Sequence, residues 1–122
     1  MMRLRVEKFT EIALPVALDI DRQKKHVSMI VRKGVVESVG VNQFKTHPLA
    51  KKYGYRYDEV HSELDALLKY KGPKDGLSLY NFRFNREGEM RMSRPCRLCT
   101  PWCDAVFDEI FYTTDQGVVR FK

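Results

Sequence analysis

No stretch of this 122-residue chain reaches the roughly 18 consecutive apolar residues that a membrane-spanning helix needs, so no membrane partner is expected. The sequence has no internal repeat, no low-complexity segment and no Pro/Gly/Ser-rich linker. One domain over residues 1–122 is the expectation. The opening Met1-Met2-Arg3-Leu4-Arg5 runs into Glu7 and Lys8 without the apolar core of an export signal, which predicts a cytoplasmic protein. Cysteine is scarce, with three residues confined to positions 96, 99 and 103. An odd, clustered count argues against a disulfide framework and for metal binding or catalysis.

What is present is ordinary in bulk and specific in detail. A hydrophobic fraction of 43% excludes wholesale disorder. Lys and Arg number 22 against 16 acidic residues, a net charge of +6. That excess suits an anionic partner such as a nucleotide phosphate or a nucleic-acid backbone, and it equally suits a solvated surface.

Apolar residues at three- and four-residue steps (Phe9, Ile12, Ala13, Val16, Ala17, Ile20) predict an amphipathic helix from about Glu7 to Arg22, with Pro15 kinking or shortening it. His26 to Arg32 and Val35 to Val41 flank Lys33-Gly34 and read as a β-hairpin. Asn42 to Tyr57 reads as a long loop, and Val60 to Tyr70 as a helix that Gly72-Pro73 ends. Leu77 to Phe84 alternates as a strand does, and Asn85 to Gly88 turns into a short extended piece, Glu89 to Met92. Pro95 is expected to open a helix running to about Asp108, followed by strands at Glu109–Thr113 and Gly117–Phe121. Helices interleaved with strands imply an α/β protein with one mixed sheet and helices on its faces.

Two short strings carry chemistry: His61-Ser62-Glu63, and Pro95-Cys96-Arg97-Leu98-Cys99. Cys96 and Cys99, three apart in the first turn of a helix, present their thiols on one face and can grip one metal ion. The unbonded amide N–H groups at that helix start favour thiolate over thiol. His61 and Glu63 are two apart and would diverge within a helix. At a helix start both can lean over the open end, one toward a metal and one beside it. Three protein ligands leave a fourth position for water, as in a catalytic zinc site.

Together the strings match the H-x-E…P-C-x-x-C pattern, and on these residues the chain resembles the cytidine deaminase superfamily. The resemblance extends from about Val35 to the C-terminus and includes the order of helices and strands. It also resembles small phage-encoded deaminases in compactness. It implies a three-layer αβα sandwich around a mixed five-stranded sheet. The implied reaction is zinc-dependent hydrolytic deamination of a cytosine nucleoside or nucleotide, cytidine or deoxycytidylate, to the uracil form. His61, Cys96 and Cys99 would hold Zn2+, and Glu63 would be the catalytic proton carrier. Asn42, at the end of Val39-Gly40-Val41, would hold the sugar. Ser62 replaces the family's usual alanine, and its backbone can still contact the base. Lys45 heads a basic cluster with Lys51, Lys52 and Arg56 that would meet a substrate phosphate. Arg94 stands just before Pro95, where the pocket floor lies. The tight turn before the last strand implies an antiparallel final pair, as in enzymes acting on free nucleosides. Self-association into a homo-oligomer is also implied.

Blander and rival readings stand beside these. Glu63 could be a helix-start acid, Asn42 a turn residue and the lysine cluster a solvated loop. Trp102 reads as helix packing. Cys103, one turn beyond Cys99, reads as a small core residue; as a fourth ligand it would close the site and make this a non-catalytic zinc-binding module. Arg83, Arg86, Arg91, Arg94 and Arg97, interleaved with Phe82, Phe84 and Met92, motivate an alternative: a polynucleotide cytosine deaminase with single-stranded DNA or RNA as partner.

Overall fold

Strand periodicity sorts the apolar residues onto two faces of one sheet. The structure, a computed structural model, describes residues 2–20, 25–42, 61–95 and 100–122. Strands β1 (Lys25–Arg32) and β2 (Val35–Val41) form the expected antiparallel hairpin. Its turn has Lys33 and Gly34 at φ 53° and 77°, the doubly left-handed geometry that matches the twist of paired strands. β1 also pairs antiparallel with β3 (Leu77–Phe84), β3 pairs parallel with β4 (Glu109–Thr114), and β4 pairs antiparallel with β5 (Gly117–Arg120). The sheet order is β2-β1-β3-β4-β5. The antiparallel final pair expected from the Asp115-Gln116-Gly117 turn is present.

Alternate residues then choose their layer. Val27, Met29 and Val31 of β1 and Tyr80, Phe82 and Phe84 of β3 face α1 (Met2–Leu18), which buries Phe9, Ala13 and Ala17 at four-residue steps. Ile30, Leu77, Leu79 and Ile110 face the other way. They pack against Leu64 and Ala66 of α2 (Ser62–Lys69) and Trp102 and Cys103 of α3 (Thr100–Val106). The result is an α/β fold with three layers, αβα, around a mixed five-stranded sheet. Among the described residues no helix is long and apolar enough to cross a membrane.

Helix boundaries differ from the sequence expectation. α1 begins at Met2 and ends at Leu18, not at Arg22. There the Ile20 N–H turns to the Ala17 carbonyl in a three-residue step that closes the helix, and the Lys25 amine bonds the Ile20 carbonyl. Pro15 lies inside α1, and the helix runs on past it to Leu18, so it does not split the helix. Pro95 is outside helix, and the described helix α3 ends at Val106. The Asp108 N–H has left for the Leu77 carbonyl at 2.9 Å, which starts β4 beside β3.

Candidate active site

Helix α2 is seated on β2 by three devices. Gly40 has no side chain to hold the helix off: a Cβ there would collide with the backbone of Ala66 and Ser62. Ser38 Oγ donates to the Ala66 carbonyl at 2.7 Å. Asp65, wholly buried, accepts the Val41 N–H at 2.9 Å on Oδ2 and pairs with Lys69 Nζ at 2.8 Å. These ties fix where the start of α2 lies relative to the sheet.

At that start His61 is the N-cap residue, with extended backbone (φ −71°, ψ 154°) and a carbonyl that accepts the Asp65 N–H at 2.9 Å. Its imidazole does not cap the helix and is half-buried. Because His61 is still extended while Glu63 is already helical, two residues of like spacing reach the same end of the helix. Glu63 is only 7% exposed. Its Oε1 accepts from Ser62 Oγ at 3.2 Å, and its Oε2 accepts from Asn81 Nδ2 at 3.2 Å. A buried carboxylate is costly unless hydrogen-bonded, and here Oε2 has the Asn81 amide while Oε1 has a share of the Ser62 hydroxyl.

Asn81 comes from β3, on the same face as Leu77 and Leu79. It is the last residue of β3 in register with β4, opposite Tyr112. Beyond it the two parallel strands part and the chain folds back between them. The Asn85 carboxamide oxygen accepts the N–H groups of Glu87 and Glu89, shaping the turn, and Phe84 bridges to Met90. Glu89 is held below the usual carboxylate range by the Asn85 amide and then by the Arg91 charge. The Arg91 N–H reaches the Arg83 carbonyl at 2.8 Å, and the Ser93 N–H reaches the Thr113 carbonyl at 3.0 Å. Carboxyl ends of parallel strands are where open α/β sheets bind ligands.

The site residues expected from sequence divide into two groups. His61, Ser62 and Glu63 are brought to one helix start, and Asn42 directly follows β2, the strand adjoining α2. The Asn42 carboxamide oxygen accepts the His26 N–H at 3.1 Å, so that oxygen is committed to the backbone. Ser62 is buried, with Oγ 2.7 Å from Ser28 Oγ. Arg94 is exposed, its guanidinium 4.7 Å from the centre of the Phe121 ring. Cys96, Cys99 and Lys45 lie outside the described residues, as do Lys51, Lys52, Arg56 and Arg97. Among the described residues no group of three or more His, Cys, Asp and Glu could hold a metal ion. Of the three expected ligands His61 is the one described, half-buried at a helix start, and its imidazole is a ligand type that zinc accepts. Cys103 is fully buried in the apolar cluster with Leu64, Trp102 and Phe107, the core placement expected for it. Trp102 packs there too, 6.4 Å from Phe107.

The arginine-aromatic stretch does not form a stacking groove from its aromatics. Phe82 and Phe84 are each 1% exposed and belong to the core beneath α1. Arg83 and Arg91 line a cleft of about 430 Å³ together with Met92 and an acid, Asp115, and Arg91 pairs with Glu89 at 3.4 Å. Sequence reasoning missed Ser28, Asn81, Ser93 and Thr113. The available signal was a polar residue at an inward position of an otherwise apolar strand, Asn81 after Leu77 and Leu79.

No family model matches the sequence, and no curated protein matches it. Among solved structures the chain is similar to the dCMP deaminase of the cyanophage S-TIM5 in its apo form, with a TM-score of 0.63 and 18% identity. The similarity covers 92% of this chain and 83% of that one. At that identity the likeness is one of fold, and the expected resemblance to the cytidine/deoxycytidylate deaminases is borne out at that level.

Proposed function

We propose that this chain is a zinc-dependent hydrolytic deaminase of a cytosine nucleoside or nucleotide, acting on cytidine or deoxycytidylate as substrate class. The observation that carries the reading is Glu63: a buried carboxylate at a helix start, next to His61, with both oxygens held, in a fold similar to a dCMP deaminase. His61, Cys96 and Cys99 are the residues that would hold the ion. Zinc, when bound, supplies Lewis-acid chemistry that brings the pKa of water from about 15.7 toward about 7.

The chain's own groups then account for the proton traffic. Water adds to C4 of the ring, and Glu63 takes its proton and delivers it to N3. The same carboxyl passes a proton to the departing amine, so the exocyclic C–N bond breaks and ammonia leaves as the new C–O bond becomes the uracil carbonyl. The balance is one water consumed and one ammonia released. The Ser62 backbone faces the base in this reading, Asn42 the sugar, and Lys45 a phosphate where there is one. Arg94, its guanidinium resting on the Phe121 ring, is placed by the resemblance at the pocket floor.

Two features pull the substrate class in opposite directions. The antiparallel β4–β5 pair is the arrangement that the family resemblance associates with free nucleosides. The fold likeness and the basic cluster from Lys45 to Arg56 favour a nucleotide. A polynucleotide substrate has lost its stacking residues, since Phe82 and Phe84 are core. Zinc-loaded protein offered cytidine, deoxycytidine, deoxycytidylate and a single-stranded oligonucleotide releases ammonia from at least one of the first three. Turnover of none of them contradicts the proposal, and a steeply salt-weakened preference for the oligonucleotide would move it to the polynucleotide reading.

A further inference from the structure

Three polar side chains interrupt the apolar layer under α2, namely Ser28 on β1, Asn81 on β3 and Ser62 on α2, all buried. Hydrocarbon would fill this space at lower cost in desolvation, so their presence needs a beneficiary. The one ionisable member of the cluster is Glu63, and the bonding leads to it.

Proton arithmetic shows how. Ser28 and Ser62 carry two hydroxyl protons for three contacts: Ser62 to Ser28 at 2.7 Å, Ser28 to Asn81 Oδ1 at 2.7 Å, and Ser62 to Glu63 at 3.2 Å. The two shorter contacts use both protons, and Glu63 gets at best a share of the Ser62 proton. The full donor to the carboxylate is therefore the Asn81 amide. Its orientation is over-determined. Asn81 Nδ2 faces two acceptors, Glu63 Oε2 at 3.2 Å and the Ser93 carbonyl at 3.3 Å, while Oδ1 faces the Ser28 hydroxyl. A flipped amide would aim oxygen at two oxygens.

Ser93 clamps the same residue from the other side. Its Oγ donates to the Asn81 carbonyl at 2.8 Å and lies 2.7 Å from Thr113 Oγ1, whose own hydrogen goes to the Arg91 carbonyl at 2.7 Å. Asn81 is thus fixed by β1, by the returning segment at Ser93 and, through it, by β4.

We infer that Asn81 is the positioning residue for Glu63: its amide, oriented by Ser28 and Ser93, sets where the carboxylate stands at the start of α2. The inference rests on the deaminase reading for what Glu63 does, and on the hydrogen bonds alone for what holds it. Asn81→Asp is the matched test, because it keeps the shape and the acceptor for Ser28 while turning the donor end into an acceptor. With the zinc-loaded full chain, kcat on the cytosine substrate falls about 10–100-fold, with KM and zinc content at the parent values. A loss carried in KM makes Asn81 a substrate contact and overturns the inference, as does unchanged kcat.

Stability reads the bond without any turnover. Asn81→Asp lowers the melting temperature by about 4 °C or more, and adding Glu63→Gln, whose amide can donate back, recovers part of that loss. Strictly additive changes overturn the inference whatever the activity. A parent protein that turns over no cytosine substrate, with this recovery intact, sinks the deaminase reading and leaves the positioning bond standing. If Asn81→Asp does not fold, Asn81→Ser, too short to reach Glu63, is read by the same kcat and KM split.

Discussion

Glu63 gives up nearly all its contact with water, yet it stands in the first turn of α2. Its side chain is held from two directions, by Ser62 on its own helix and by Asn81 on the sheet. A helix-start acid serving only the macrodipole would be exposed and mobile, and worth about 0.3–1 kcal/mol. The burial and the paired donors argue for a carboxylate kept in one orientation. Glu63→Gln preserves size and a hydrogen-bonding end but cannot carry the proton. We expect it to keep the fold and the zinc content and to lose at least about 100-fold in ammonia release, measured beside the parent protein. Turnover within a few-fold of the parent would remove Glu63 as the proton carrier. That His61 and Glu63 share a helix start was legible in the sequence, because the helix reading over Val60 to Tyr70 puts both in its first turn. The partner of Glu63 was not, since Asn81 is 18 positions away and only the β1–β3 register brings Ser28 opposite Asn81.

At the scale of elements, the site depends on α2 lying directly on β2. The Gly40 contact, the Ser38 bond and the Asp65–Val41 bond all act on that seam. Gly40→Ala places a methyl group against helix backbone, which has no side chain to swing aside. We expect it to cost about 1–3 kcal/mol of stability in denaturant melts and to lower zinc content as His61 shifts with the helix. Unchanged stability and zinc content would mean that α2 is not seated there. The strands were legible almost to the residue, because alternation and the Lys33-Gly34 turn fix a hairpin locally. The ends of α1 and α3 were not. Where a helix stops depends on which carbonyl takes the next N–H: Ala17 for Ile20, and Leu77 for Asp108. The second of these partners, 31 residues away, belongs to the fold and leaves no local mark on the sequence. The arginine-aromatic stretch misled for the same reason. Phe82 and Phe84 sit two apart on a strand, so whichever face one of them takes, the other takes too, and that face is the core.

At the scale of the whole molecule, the layers bring the start of α2 against β3 at Asn81, the last residue of β3 in register with its parallel neighbour β4. In the proposed function His61, Cys96 and Cys99 hold one zinc ion with a position left for water, and Cys103, buried among Leu64, Trp102 and Phe107, stays out of it. X-ray absorption at the zinc edge counts those ligands. For both the parent and Cys103→Ala we expect the same ligands: two sulfurs at about 2.3 Å, one imidazole nitrogen at about 2.0–2.1 Å and one solvent oxygen. A third sulfur that disappears in Cys103→Ala, or a shell without sulfur, would contradict the proposed function.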